Sequence, residues 1–292
     1  MVESAIDGAG VAQRQAADRP VLVVEGGRGG VSRESLRELW HFREVLYAFV
    51  VRQIKVRYKQ AAVGIGWSLV QPVASALLFA LFLGRLAHVA SDGAPYLLFV
   101  LAGTASWMYF AAAAGNAMDS LVTDQVLLRK VYFPREVLPV ASTLASLIDL
   151  IPGLLVVAIA AAAYGIYPSP SWLLLPLPVL LLVLTAAALG LGVSAINVYY
   201  RDVRYALPFV LQLGLFASPV VYPLSVVPAR WRELYGIVNP VAAGIDGVRR
   251  TMLHGELPAL GMTLGAYAVA TAALAGGYVL FKRLERGFAD RV

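Results

Sequence analysis

The sequence has no cysteine among its 292 residues. That excludes a disulfide framework, an iron–sulfur cluster and a thiolate metal site. Charge is also scarce. Asp, Glu, Lys and Arg make up 14% of the chain, against roughly 25% in soluble domains. The three histidines, His41, His88 and His254, lie far apart, and no His, Asp and Glu cluster has metal-ligand spacing. No Gly-Lys-Ser/Thr follows Gly26-Gly27-Arg28-Gly29-Gly30, so the chain holds no P-loop for ATP. No paired carboxylates fall at one membrane depth, which argues against a membrane glycosyltransferase or lipid hydrolase. Intramembrane charge is nearly absent, leaving little material for an ion-coupled carrier. Energy for any transport must come from another polypeptide. The first 60 residues hold no short apolar core with a cleavage site, so the first span reads as internal and retained.

What is present is apolar, at 59% of residues. Ala61 to Gly84, Gly93 to Met118, Tyr205 to Ala229 and Leu257 to Phe281 carry no Asp, Glu, Lys or Arg. Leu150 to Tyr200 is twice as long and is broken by Gly165-Ile166-Tyr167-Pro168-Ser169-Pro170. A bilayer core of about 30 Å needs about 20 helical residues. The expectation is an all-α integral membrane protein with six spans. With both termini inside, nineteen of the 24 Lys and Arg residues fall on the cytoplasmic side. The positive-inside rule then sets the orientation across a cytoplasmic membrane.

Residues 1–31 read as a flexible cytoplasmic tail. Residues 32–59 read as an amphipathic interface helix with a basic approach to the first span. Residues 60–285 form the six-span domain, and 286–292 a cytoplasmic C-terminus. Ser35-Leu36-Arg37-Glu38 fits a capping box. Leu36, Leu39, Phe42, Val45, Leu46, Phe49 and Val50 form a stripe that would lie on the inner leaflet, with Trp40 and Tyr47 at interface depth. Arg52, Lys55, Arg57 and Lys59 then crowd the way into span one. They set topology, or more sharply attract an anionic lipid headgroup by roughly 1 kcal/mol each.

Asp124 can cap a short helix through about Val131, with Arg129 and Lys130 in its last turn. Pro134 can then start span three. This charged, aromatic-tipped segment presents a docking surface. Span three carries Asp149, an acid that faces protein interior, water or the interface. In the fifth connection, Asn239-Pro240 starts a helix with a stripe of Val241, Ile245, Val248 and Met252. Arg249 and Arg250 lie near its end, and Gly255 can terminate it. It is too polar to span, so it dips into the outer leaflet or lies on it, a candidate lid over a pathway.

Several motifs fall in order: Arg57-Tyr58-Lys59, Gly64, Trp67, Gln71-Pro72, Leu128-Arg129-Lys130-Val131-Tyr132-Phe133-Pro134-Arg135-Glu136, Arg201-Asp202-Val203-Arg204-Tyr205, Ser218-Pro219-Val220, Tyr222-Pro223 and Asn239-Pro240. Over about residues 36 to 285 the set resembles the membrane (permease) subunit of bacterial ABC-2 type exporters of polysaccharide, O-antigen and teichoic acid. The resemblance implies a type-2 exporter fold, a second copy of the chain, and two separate ABC ATPase subunits carrying ATP and Mg. The chain itself would be no enzyme and hold no cofactor. It implies a coupling helix at about 124–133, with Asp124, Leu127, Leu128, Arg129, Lys130, Tyr132, Phe133, Arg135 and Glu136 facing the ATPase. A gate segment would span about 224–256, including Asn239, Pro240, Arg249 and Arg250.

The substrate class it implies is a polyprenyl-diphosphate-linked glycan such as O-antigen, galactan or teichoic acid, met amid membrane lipid and without nucleic acid. Arg52, Lys55, Arg57, Tyr58 and Lys59 would meet the diphosphate. Aromatic rings stack on the C–H faces of sugars, so Trp67, Tyr109, Phe110, Phe216 and Tyr222 are channel-lining candidates. Trp107 is a further one, although Trp107 and Tyr222 suit interfacial anchoring better. Two rival readings stand beside this one: the same fold exporting small hydrophobic drugs or lipids, and a membrane enzyme of envelope synthesis.

Overall fold

The computed structural model describes residues 40–59 and 66–288. The capping box at Ser35, the stripe residues Leu36 and Leu39, the tail and Gly64 lie outside the described residues. Among those described, every regular element is helical. The first described helix, α1, runs Arg43–Lys59, straight through the basic cluster. Helix α2 (Gly66–Phe79) passes into a wider π-type stretch, Ala80–Leu86. Then come α3 (Tyr96–Thr123), the six-residue α4 (Gln125–Lys130), α5 (Val137–Ala145) and α6 (Leu147–Ala163). Helix α7 (Pro176–Tyr199) follows a tight 3-10 turn, and α8 spans Val203–Ala217. Two short helices, α9 (Ala229–Val238) and α10 (Pro240–Arg249), precede the long α11 (Leu260–Glu285).

Among the described residues, five segments are long and apolar enough to cross a bilayer: Leu69–Leu86, Tyr96–Thr123, Val137–Ala163, Pro170–Tyr199 and Leu260–Glu285. The sixth expected span corresponds to α8, whose 15 residues rise about 22 Å. Its chain leaves the helix at Ser218-Pro219, because proline carries no N–H and disfavours a helical residue before it. Span three is likewise two helices, interrupted at Ser146, where the Asp149 amide bonds back three residues to the Ser146 carbonyl.

Helix α3 is the axis of the bundle. Its most apolar window is 78% buried, against 11% for that of α2. Alanines and glycines along it let α7, α5 and α6 approach closely. Helix α11 packs along α7 and meets α9 and α10 at the far end. One end of the molecule collects α1, α4 and the last turn of α11, and is here called the basic end. Its core is Phe49, Phe133, Leu138, Leu191, Phe281 and Phe288. The stripe on α1 (Phe42, Val45, Leu46, Phe49, Val50) packs on this core, so protein rather than lipid takes much of that face. Trp40 and Tyr47 remain exposed.

At the opposite end α10 is enclosed by α3, α7 and α11. This corrects the option of a helix lying on the leaflet. Its whole circumference is buried, not only the stripe Val241, Ile245, Val248 and Met252. The start follows the sequence: the Asn239 side chain accepts from the Ala242 amide at 3.2 Å, and Pro240 opens the helix. Gly255, at φ +67°, closes the turn that follows.

Candidate functional site

At the basic end the expected docking segment divides in two. Asp124 precedes α4 but caps no backbone N–H. Its carboxylate instead accepts from Arg52 at 2.8 Å, tying α4 to α1. Leu127 and Leu128 pack inward on the aromatic core. Val126, Val131 and Tyr132 point out, Tyr132 with 62% of its surface exposed, beside an exposed Lys130. Only the backbone of Arg129 is described.

The next four residues face inward. Phe133 is buried against Phe49, ring centroids 5.1 Å apart. Glu136 is fully buried and accepts from Lys282 at 2.9 Å and from the Tyr278 hydroxyl at 3.3 Å. Arg135 lies over the Phe288 ring and donates to the Glu285 carbonyl. Phe133, Arg135 and Glu136 therefore form the base that fixes the tip to α1 and α11. They are not part of its exposed surface, which corrects their placement among outward-facing residues. The reason is distance in sequence: Lys282 lies 146 positions away from Glu136. A buried carboxylate needs such a partner to offset its desolvation. Val126 and Val131 were missed, and their cue was an apolar residue on each flank of a charged turn.

The basic cluster on α1 also divides. Arg52, Lys55 and Lys59 fall at spacings of three and four, on one exposed face. Lys55 and Lys59 make no ion pair among the described residues. Arg57 turns the other way. It pairs with Asp149 of α6 and reaches Ser146 Oγ at 3.5 Å, and Ser146 Oγ also accepts from Asn116 of α3. Tyr58 donates its hydroxyl to the same Asp149 carboxylate. Burial and then Asp149 push the Tyr58 phenol up to about 12. Asp149 thus faces neither lipid nor a dry core; its side chain is 23% exposed.

Beside this ion pair opens a cavity of about 320 Å³. It is lined by Arg57, Tyr58, Trp67, Gln71, Tyr109 and Asp149 over an apolar floor. Two separate sequence expectations meet here: Arg57 and Tyr58 from the diphosphate set, Trp67 and Tyr109 from the lining set. Trp67 is 56% exposed. The other aromatics go elsewhere. Phe216 is exposed on α8, and Tyr222 is half-buried with its hydroxyl donating to the Phe216 carbonyl at 3.0 Å. Phe110 and Trp107 are buried against one another in the core, presenting no face to a path and, for Trp107, none to the interface.

At the opposite end Arg249 is buried entirely. Its guanidinium donates to the carbonyls of Phe99, Pro219 and Val220 and lies 3.5 Å from the centre of the Phe99 ring. Gly103 makes room for it: a Cβ there would fall 2.2 Å from Arg249 Nη2. Arg250 pairs instead with Asp246 at 2.7 Å and Glu256 at 3.0 Å. Asn239 also ties α10 to the chain leaving α8, donating to Ser218 Oγ at 3.1 Å.

The sequence profile described as ABC-2 type transporter matches residues 44–253. The chain is 28% identical over 258 residues to the O-antigen export system permease protein RfbA of Myxococcus xanthus, covering 88% of this chain and 98% of that protein. It is 24% identical over 255 residues to the protein of the same name from Klebsiella pneumoniae, covering 86% of this chain and 96% of the relative.

Proposed function

The chain belongs to the ABC-2 type transporter family, and on that premise we propose that it is the transmembrane subunit of an ATP-driven exporter of lipid-linked polysaccharide. The observation that carries this reading is the divided segment at the basic end. An exposed apolar tip (Val126, Val131, Tyr132) stands on a base made rigid by the Phe49–Phe133 contact and the buried Glu136–Lys282 pair. Such a tip suits the cleft of a separate ATPase, and the base passes a push to α1 and α11 together. The relatives' names, O-antigen export system permease proteins, support glycan as the cargo.

In this reading the basic end is cytoplasmic, and two copies enclose the path. Helix α2 with its π-type extension, and helix α8, offer the apolar faces for that pairing: Leu77, Leu78, Leu81 and Phe82 on one, Phe209, Val210, Leu213 and Phe216 on the other. The α8 span is completed by the extended residues after Ser218. Lys55 and Lys59 meet the diphosphate, with Arg52 as a third cation once it leaves Asp124. The segment from α9 to Gly255 closes the outer end: Asn239 and Arg249 hold it against α3 and the chain leaving α8, Pro240 opens α10, and Arg250 braces the segment within itself through Asp246 and Glu256. ATP and Mg act on the partner ATPase.

The test is ATP hydrolysis by the complex of this chain with its ATPase, reconstituted in vesicles. Polyprenyl-diphosphate-linked glycan is expected to stimulate it, and small amphiphiles are not. Tyr132→Ala is expected to lower the stimulated rate about tenfold without lowering the melting temperature, because Tyr132 is 62% exposed. Phe133→Ala is expected to cost about 3 kcal/mol of stability. Stimulation by amphiphiles alone would replace the glycan reading with drug or lipid export.

A further inference from the structure

The cavity between α1, α2, α3 and α6 holds more chemistry than an ion pair needs. One side is aromatic. Trp67 keeps 56% of its surface open, while Trp107 in the same bundle keeps 6%. Tyr109 lines the cavity too, and its buried hydroxyl has no hydrogen-bond partner among the described residues. Gln71 adds an amide. The Asp149 carboxylate has about four acceptor positions, and Arg57 and Tyr58 occupy one on each oxygen. A guanidinium carries five N–H donors, and among the described residues those of Arg57 go to Asp149 and Ser146.

Spare donors and acceptors of both kinds therefore border an aromatic face. The Arg57 and Asp149 charges cancel, so the site does not select an ion of either sign. A hydrocarbon tail would leave those spare polar groups unpaired. A neutral polyhydroxylated ring satisfies both demands. Its C–H face lies against Trp67, and its hydroxyls exchange hydrogen bonds with Asp149, Gln71 and Arg57. At about 320 Å³ the cavity stands at the small end of ligand sites, which run from about 300 to 1,000 Å³. That suits a ring, not a polymer.

We propose that this cavity seats one neutral sugar ring of the lipid-linked substrate, the unit nearest the diphosphate. The proposal rests on the exporter reading. Nearness to the diphosphate follows from α1: Arg57 and Tyr58 line the cavity, and Lys55 and Lys59 flank them on the exposed face of the same helix.

The experiment compares two probes on the reconstituted complex with its ATPase: bare polyprenyl diphosphate, and polyprenyl diphosphate bearing a single N-acetylhexosamine. Half-maximal stimulation of ATP hydrolysis should need about tenfold less of the glycosylated lipid. Trp67→Ala and Gln71→Ala should each bring that ratio towards one, and Trp67→Phe should keep most of it. Because Trp67 is exposed, its variants are expected to fold. Equal half-maximal concentrations in the unaltered protein overturn the proposal and leave the exporter reading standing. So does a ratio that survives Trp67→Ala. If Trp67→Ala weakens both lipids equally, the cavity holds the prenyl tail and the proposal fails. Stimulation by neither lipid overturns the exporter reading and the sugar site with it.

Discussion

Two arginines at opposite ends of the bundle show two uses of the same side chain. Arg57 is partly exposed and meets a carboxylate beside an open cavity. Arg249 is sealed from solvent, and its guanidinium donates to three backbone carbonyls. A carboxylate partner at a cavity edge can be exchanged for another ligand. Carbonyls of a buried chain cannot, since freeing them leaves acceptors unsatisfied. In the proposed sugar site, the first arginine borders the place where the ring binds. The second holds the chain after α8 against α3 and α10.

The comparison is broken most directly at the buried end. Arg249→Met should cost about 3 kcal/mol or more, because three carbonyls lose their donor. It would be read as a fall in melting temperature or a failure to recover the protein. Arg249→Lys should recover only part, since an ammonium lacks the planar fork that reaches several acceptors. If Arg249→Met costs no more than Arg57→Gln, the contrast is wrong.

An intermediate case sharpens it. Glu136→Gln leaves Lys282 with only Glu285 and should cost about 2–3 kcal/mol. Adding Lys282→Met should return much of that loss, which a double-mutant comparison of melting temperatures would register. Arg57→Gln should cost about 1 kcal/mol, well below Arg249→Met, because the pair is partly exposed and Tyr58 still bonds Asp149.

The smallest effect is spectroscopic. The Tyr58 phenol is raised from 10.0 to about 12, so its neutral form is the one the fold favours. Its contribution to stability is complete below pH 10.0 and fades as pH rises through about 12. Alkaline difference absorbance between the unaltered protein and Tyr58→Phe should place the step there. Asp149→Asn should lower it, and an unmoved step would remove Asp149 as a cause.

Much of the bundle was legible in the sequence because uncharged length and proline or glycine breaks are local signals. The turn at Gly165, the start at Asn239-Pro240 and the stop at Gly255 all depend on residues within a few positions. Side-chain pairing was less legible. Asp124 reads as a cap from its neighbours, yet Arg52, 72 positions away, takes its carboxylate. Nothing near Glu136 shows that Lys282 will cover it, and nothing near Asp149 shows that Arg57 and Tyr58 will reach it. Helix α9 was missed because its Arg230, Trp231, Arg232 and Glu233 give no long apolar period. The cavity is a product of four helices and has no signature in any one of them.

Phe288 lies fully buried under Arg135, edge-on to Phe281 and beside Tyr199. The terminal aromatic is therefore a cork rather than a loose thread. An affinity handle grafted in place of the residues from Gly287 onward would uncork the foundation on which the tip stands, and an inert transporter obtained that way would reflect the cloning design, not the chemistry of export.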